Sequence, residues 1–278
     1  MGIEWFSLIL LIGAVVAGLF GSLTGLGGGF VIIPLLTLGF GVDMRYAVGT
    51  ALVTSIATSS GAAAAYIRER ITNVRIGMFL EIATTAGAVA GSVIAMYLPV
   101  NTIAIIFACM LLFSAYSTVR KKNTDSNPAP VGTLAKRLKL GSVYPTPEGD
   151  VHYDVHRVVG GFSLMGLAGV LSGILGIGSG ALKVLAMDRV MKIPFKVSTT
   201  TSNFMVGVTA CASAVAYFQR GYIVPGLAMP VVVGVLTGAF IGSKILVKAK
   251  VRTLKLIFSG VIVLVAIQML YKGITGNL

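Results

Sequence analysis

Gly25-Leu26-Gly27-Gly28-Gly29 returns later in the chain as Gly176-Ile177-Gly178-Ser179-Gly180, and these two glycine runs decide the fold. Each interrupts a long apolar stretch. The sequence around the first matches the sequence around the second without a gap from about residue 17 to residue 120, when moved 151 places along. Thr50 then falls on Thr201, Tyr66 on Tyr217, and Gly87-Ala-Val-Ala-Gly-Ser92 on Gly238-Ala-Phe-Ile-Gly-Ser243. A duplicated apolar unit, broken by glycines at equivalent points, is the pattern of a secondary transporter whose binding site lies where the copies meet.

Composition points the same way. Hydrophobic residues fill 56% of the 278 positions and charged residues 11%, with a mean hydropathy of +0.93, which implies an integral membrane protein. The apolar runs are too long for the strands of a membrane barrel and lack their alternation, so the expected fold class is all-α. The 35 glycines, with many alanines and serines, suit close helix packing in lipid. The net charge of +13 sits in loops between apolar segments, which indicates anchoring at the cytoplasmic face rather than nucleic-acid binding.

Cys109 and Cys211 do not align between the copies and form no ligand spacing, so they read as buried small apolar residues. His152 and His156 read as exposed, without a ligand set around them. No cofactor, metal or enzymatic nucleophile is indicated. The apolar run at the N-terminus carries Glu4 and continues into the repeat, so it is expected to be the first helix rather than a cleaved signal.

A span needs about 20 residues. Segments near 47–67, 76–97 and 102–119 fit singly, as do 197–218, 225–247 and 252–271. The stretch 5–40 does not. Its glycines divide it into a full-length piece and a short one, Phe30 to Leu38, and the second copy repeats this as 158–175 and Ala181 to about Arg189. Three units follow: a first membrane repeat at 1–120, a polar linker at 121–157 and a second repeat at 158–278. Within the linker, Gly141-Ser142, Pro145-Thr-Pro147 and Glu148-Gly149-Asp150 read as turns, and Val151, Tyr153 and Val155 alternate like a short strand.

Loop charge sets the expected topology. Arg68, Arg70 and Arg75 mark one inner corner, and Arg120, Lys121, Lys122, Lys136, Arg137 and Lys139 place the linker in the cytoplasm. In the second copy Arg189, Lys192, Lys196, Lys248, Lys250, Arg252 and Lys255 mark corners displaced by one. Each broken segment then enters and returns, the copies lie in opposite orientations, and both termini face outside a multi-pass inner-membrane protein. The rival count lets each broken segment cross once, giving parallel copies with Arg189, Lys192 and Lys196 outside.

Unwound backbone within a membrane is tolerated where it lines a cavity, and a half-helix that starts there presents donors to an anion. The candidate contacts are therefore Gly27, Gly28 and Gly29 with Gly178, Ser179 and Gly180. Thr50 and Thr201 offer neutral donors at matched positions of the next span, and Ser202 and Asn203 extend the set in the second copy. The plainer alternatives are close packing for the glycines and bonding to their own helix for the threonines. Lys183 stands opposite Ile32 of the first copy, and a mid-membrane lysine costs about 2.5 to 3.5 kcal/mol on insertion scales. It either balances an anionic substrate or snorkels to the inner surface. Glu81 is either paired with a basic neighbour or is a protonation site for proton coupling. Gln268 has no evident partner.

The run Gly18-Leu-Phe-Gly-Ser-Leu-Thr-Gly-Leu-Gly-Gly-Gly-Phe-Val-Ile-Ile-Pro34, with Ala47-Val-Gly-Thr-Ala-Leu52 and the counterpart Ser198 to Met205, resembles the TauE/SafE sulfite-exporter family. The resemblance covers nearly the whole chain. It implies export of sulfite or a small organosulfonate such as sulfoacetate, driven by an ion gradient. Ser179 for Gly28 and Lys183 for Ile32 make the two halves unequal. The expected function is an alternating-access carrier of a small anion, with the bilayer and the anion as partners. An anion channel, or a carrier for a different organic anion, is the alternative.

Overall fold

The computed structural model describes residues 3–24, 27–119, 133–146, 149–248 and 251–276. Gly25, Leu26, Arg120, Lys121, Lys122, Pro147, Glu148 and Lys250, and the side chains of Lys248, Arg252 and Lys255, lie outside what it describes. The first copy is built from α1 (Ile3–Thr24), the short α2 (Gly29–Pro34) with a π-helical continuation (Leu35–Gly39), α3 (Met44–Arg68), α4 (Val74–Tyr97) and α5 (Val100–Val119). Then come α6 (Thr133–Arg137) and the hairpin β1 (Ser142–Thr146) and β2 (Gly149–Tyr153). The second copy repeats the first: α7 (Val158–Leu175), α8 (Gly180–Leu185) with its π continuation (Ala186–Val190), α9 (Phe195–Gln219), α10 (Pro225–Lys248) and α11 (Val251–Thr275).

The backbone duplicates at several turns, but not throughout the breaks, where Gly28 is right-handed (φ −71°) and its counterpart Ser179 left-handed (φ 48°). Left-handed residues at Gly27, Gly41 and Arg70 (φ 79°, 65° and 56°) recur at Gly178, Lys192 and Gly221 (φ 69°, 60° and 72°). Helix starts are fixed locally. Asp43 accepts from the Arg45 amide at 2.8 Å ahead of α3, and Asn73 from the Ile76 amide at 3.1 Å ahead of α4, satisfying donors that the first turn leaves free. Among the described residues, α3, α4, α7, α9 and the part of α10 from Pro225 to Lys244 are long and apolar enough to cross a membrane. Helices α1, α5 and α11 contain shorter apolar runs, Ser7–Leu23, Val100–Tyr116 and Ile262–Thr275. This is an all-α membrane architecture, multi-pass, with one small polar hairpin.

Packing exchanges partners between the copies. Helix α1 lies along α10, and its counterpart α7 along α4. Glycines make both seams: a Cβ at Gly87 would strike the Gly166 carbonyl, one at Gly91 the Val170 carbonyl, and one at Gly173 the Ala88 carbonyl. With no hydrophobic drive between helices in lipid, this close approach is what holds them. Both seams run parallel, since residues farther along α4 meet residues farther along α7, and α10 ascends α1 likewise from Leu11 to Ser22. The self-related pairs run antiparallel. Arg45 at the start of α3 reaches Tyr222, just past the end of α9, while Ser59 farther along α3 donates to the Asn203 carbonyl near the start of α9. On α5 and α11, Asn101 meets Gly273 while Ser259 donates to the Ala115 carbonyl.

The outer faces carry Met78, Ile82, Val89, Val215, Phe218 and Met229, all exposed, as befits contact with lipid. Cys109 and Cys211 are also exposed there, contrary to the buried positions expected; a thiol is apolar enough for that surface. The second half of the linker is docked rather than solvated. Ala135, Leu140 and Val155 are buried with Ile76, Leu80, Met187, Met191 and Ile193 at one end of the bundle. Asn73 Nδ2 donates to the Leu140 carbonyl (3.1 Å) and to Tyr153 Oη (2.8 Å), and Arg75 Nη1 to the Lys139 carbonyl (2.9 Å). Burial in this contact pushes the Tyr153 hydroxyl above its ordinary pKa. The hairpin takes in Ser142 and Pro145, which read as turn residues from sequence. His156 is half-buried, its amide donating to the Met191 carbonyl at 3.0 Å.

Candidate transport site

The two glycine breaks come together in the middle of the bundle, beside α3 and α9. A Cβ on Gly27 would lie 3.1 Å from Val206 Cγ1 and 3.5 Å from the Ile177 carbonyl oxygen, and the same Val206 side chain presses on Gly178. Each helix that ends at a break has its last carbonyls bonded by a tyrosine from the copy's central helix. Tyr66 Oη donates to the Ser22 carbonyl at 3.0 Å, and Tyr217 Oη lies 3.4 and 3.3 Å from the Gly173 and Ile174 carbonyls. Carbonyls that lack an intrahelical partner are thus given a side-chain donor.

At the first break the Gly28 amide donates to Thr58 Oγ1 at 3.2 Å. Ser55 Oγ is buried against Gly27 and Gly29 and has no hydrogen-bond partner among the described residues. Thr50 is buried with its Oγ1 in the same condition. At the second break Ser179 holds a left-handed conformation (φ 48°), and its buried Oγ also has no partner there. The cavity against it, lined by Phe30, Met110, Leu111, Ser114 and Ile177, has room for about 10 Å3. A larger cavity of about 300 Å3 lies behind the short segment of the first copy, between Pro34, Leu38, Leu111, Ile262 and Gln268; it is apolar, and Gln268 stands exposed at it.

The remaining sequence candidates are placed as follows. Ser202 Oγ donates to the Gly180 carbonyl at 3.3 Å, beside the second break. Asn203 Nδ2 donates to the Ser22 carbonyl at 2.9 Å, so a residue of the second copy ties down the end of α1. Thr201 Oγ1 accepts from the Asn73 amide at 3.1 Å and belongs to the α3–α4 corner. Lys183 does not snorkel. It is wholly buried, donates to Thr209 Oγ1, and faces Glu81 Oε2 at 3.9 Å. Glu81 Oε1 accepts from Thr209 at 2.5 Å and from Thr85 at 3.2 Å. Sequence reasoning had both charges but not their meeting. The repeat offered one signal: Thr58 and Thr209 are counterparts, the first bonding the glycine break and the second the lysine.

A constellation of buried hydroxyls around broken helices can bind a small polar solute. Among the described residues no group of three or more His, Cys, Asp or Glu comes together to hold a metal ion. The sulfite exporter TauE/SafE family model matches residues 10–269. This chain belongs to that family. It is 28% identical over 274 residues to the "Probable membrane transporter protein YunE" of Bacillus subtilis (strain 168), covering 96% of this chain and 98% of that one. It is 25% identical over 225 residues to "Probable membrane transporter protein YdhB" of the same strain, covering 79% and 82%. A "Probable membrane transporter protein" of Xylella fastidiosa (strain 9a5c) shares 26% over 274 residues, 96% of each chain. No solved structure matches the chain. The TauE/SafE protein described here is a membrane transporter and not an enzyme.

Proposed function

We propose that this TauE/SafE protein is a secondary carrier that exports a small sulfur oxyanion or organosulfonate, such as sulfite or sulfoacetate, by alternating access. The anion binds where the glycine breaks meet, and one copy rocks against the other to expose it to each side in turn. The observation that carries this reading is that each break holds a buried hydroxyl, Ser55 at the first and Ser179 at the second, with no partner among the described residues. A buried donor left unbonded is costly, and a bound oxyanion would remove that cost. The tightness beside Ser179, about 10 Å3, supports a closed stage of a carrier over a standing anion channel.

The copies are oppositely oriented in the bilayer in this reading, with the linker cytoplasmic and the termini outside. Antiparallel packing of the counterparts α3 and α9, and of α5 and α11, supports it. Uptake into liposomes containing the purified protein tests the function. Sulfite, sulfoacetate, taurine and sulfate are offered with and without a pH gradient. Saturable uptake of a sulfur oxyanion or sulfonate is expected; absence of uptake for all four contradicts the assignment.

A further inference from the structure

Lys183, Thr209 and Glu81 join the two copies through a chain of polar contacts that no structural demand of the helices explains. The lysine is on α8 and the threonine on α9, both of the second copy; the carboxylate is on α4 of the first. Their counterparts, Ile32 and Val232, are apolar for the two charged positions, so the chain carries one such pair. Lys183 is 0% and Glu81 7% exposed. The ammonium has three donors. One goes to Thr209, whose hydroxyl lies within hydrogen-bond distance of both Glu81 Oε1 and the Met205 carbonyl. Glu81 Oε2 accepts no hydrogen bond among the described residues and stays 3.9 Å from Nζ, close enough for charge attraction and too far for a hydrogen bond. The ammonium thus keeps donors that an oxyanion can take, and its partner Thr209 stands one helical turn along α9 from the Val206 that packs on both breaks.

We infer that Lys183 and Glu81 are an exchangeable ion pair that couples the binding of one monovalent oxyanion to the binding of one proton; this rests on the carrier reading above. The anion takes the ammonium of Lys183 from Glu81. The carboxylate, buried and without its counter-ion, is then neutralised by a proton from the aqueous phase, which adds to an oxygen of Glu81 and forms an O–H bond. The site begins with one positive and one negative charge and ends with the same sum, because an unbalanced buried charge is strongly disfavoured. When the anion leaves, the proton leaves with it and the pair re-forms, so export in this scheme runs down the anion's own gradient and is opposed by an inward proton gradient.

The other ionisable groups around the pair do not supply the proton site. Helix α7 has none. Helix α5 contributes Cys109 and Tyr116, both exposed. On α9, Cys211 is exposed, Tyr217 is bonded to the end of α7, and Lys196 is 13 residues from Thr209, about 20 Å along the helix. Arg75 of α4 is bonded to the linker, and Tyr97 is exposed at its other end. Asp188 and Arg189 follow five and six residues after Lys183, toward the end of the returning segment.

The test is proton counting in liposomes with isethionate, a sulfonate that remains a monoanion across the working pH range. Wild-type protein is expected to move about one proton per isethionate in the same direction and to ignore an imposed membrane potential. Glu81→Gln, which imitates the protonated carboxyl, is expected to exchange isethionate at a reduced rate with at least a tenfold smaller proton flux per anion. Wild-type flux that follows the potential without proton movement overturns the coupling, as does an unchanged proton ratio in Glu81→Gln. Absence of any isethionate exchange by the wild type overturns the carrier reading for sulfonates instead, so the two failures are distinct.

Discussion

At the first glycine break, Thr54, Ser55 and Thr58 surround the unwound backbone; at the second, Met205 and Val206 take the places of Thr54 and Ser55, and Thr209 turns to a lysine instead of a glycine amide. The outer seams keep glycine at equivalent places in both copies, Gly87 and Gly91 on α4 and Gly238 and Gly242 on α10, each meeting backbone of the other copy. Duplication has therefore preserved the parts that hold helices together and released the parts that face the centre. One break became a set of neutral donors and the other acquired a charge, which a twofold-symmetric site could not hold without bringing two lysines together.

The seams give the largest expected effects, and equal ones. Gly91→Val and Gly242→Val each place a side chain into opposing backbone, and either is expected to abolish accumulation of folded protein or to cost more than about 3 kcal/mol, read by thermal unfolding in detergent. A large loss at one seam alone would break the equivalence. Next comes the asymmetric pair. Lys183→Met leaves Glu81 buried beside Thr209 without its cation and is expected to lower stability by about 3 to 5 kcal/mol. Adding Glu81→Met is expected to recover most of that while transport stays lost. A double variant no more stable than the single one would show that the pair is not a unit.

Smaller differences sharpen the comparison. Tyr66→Phe removes a 3.0 Å bond and is expected to cost about 1 kcal/mol, whereas Tyr217→Phe removes a longer contact, 3.3 to 3.4 Å, and should cost less. Denaturation of the two variants side by side decides it. The smallest effect on stability belongs to Ser55→Ala, because its hydroxyl bonds to nothing described in this state. It should leave unfolding within about 0.5 kcal/mol of wild type while raising KM for the transported anion at least tenfold; an unchanged KM removes Ser55 from the site.

Much of the scaffold was legible because it follows from period and punctuation. Apolar length marked the spans, the glycine runs marked the breaks, and the repeat fixed the counterpart of every helix. The hairpin at Val151 to Tyr153 was legible from alternation. Its docking was not, because the contact between Asn73, Leu140 and Tyr153 joins residues far apart in sequence. For the same reason Glu81 and Lys183 could each be singled out as an expensive buried charge without any indication that they face one another. Thr201 shows the reverse limit: matched repeat position suggested a role at the centre, and tertiary structure directs its hydroxyl to the Asn73 amide. Ser55 and Tyr66 were visible as polar residues in an apolar span, but only geometry separates the unbonded hydroxyl from the bonded one.

The most direct test of the account asks whether the two copies must move against each other for transport. A Cβ on Gly273 of α11 would lie 3.5 Å from Ala104 Cβ of α5, a separation that suits a disulfide, so Ala104→Cys with Gly273→Cys, in a chain whose Cys109 and Cys211 are replaced, allows the two copies to be joined by oxidation. Substrate counterflow in liposomes is then measured before oxidation, after it, and after reduction. The account predicts that flux is lost when the helices are joined and returns on reduction. Undiminished flux through the joined protein would contradict it.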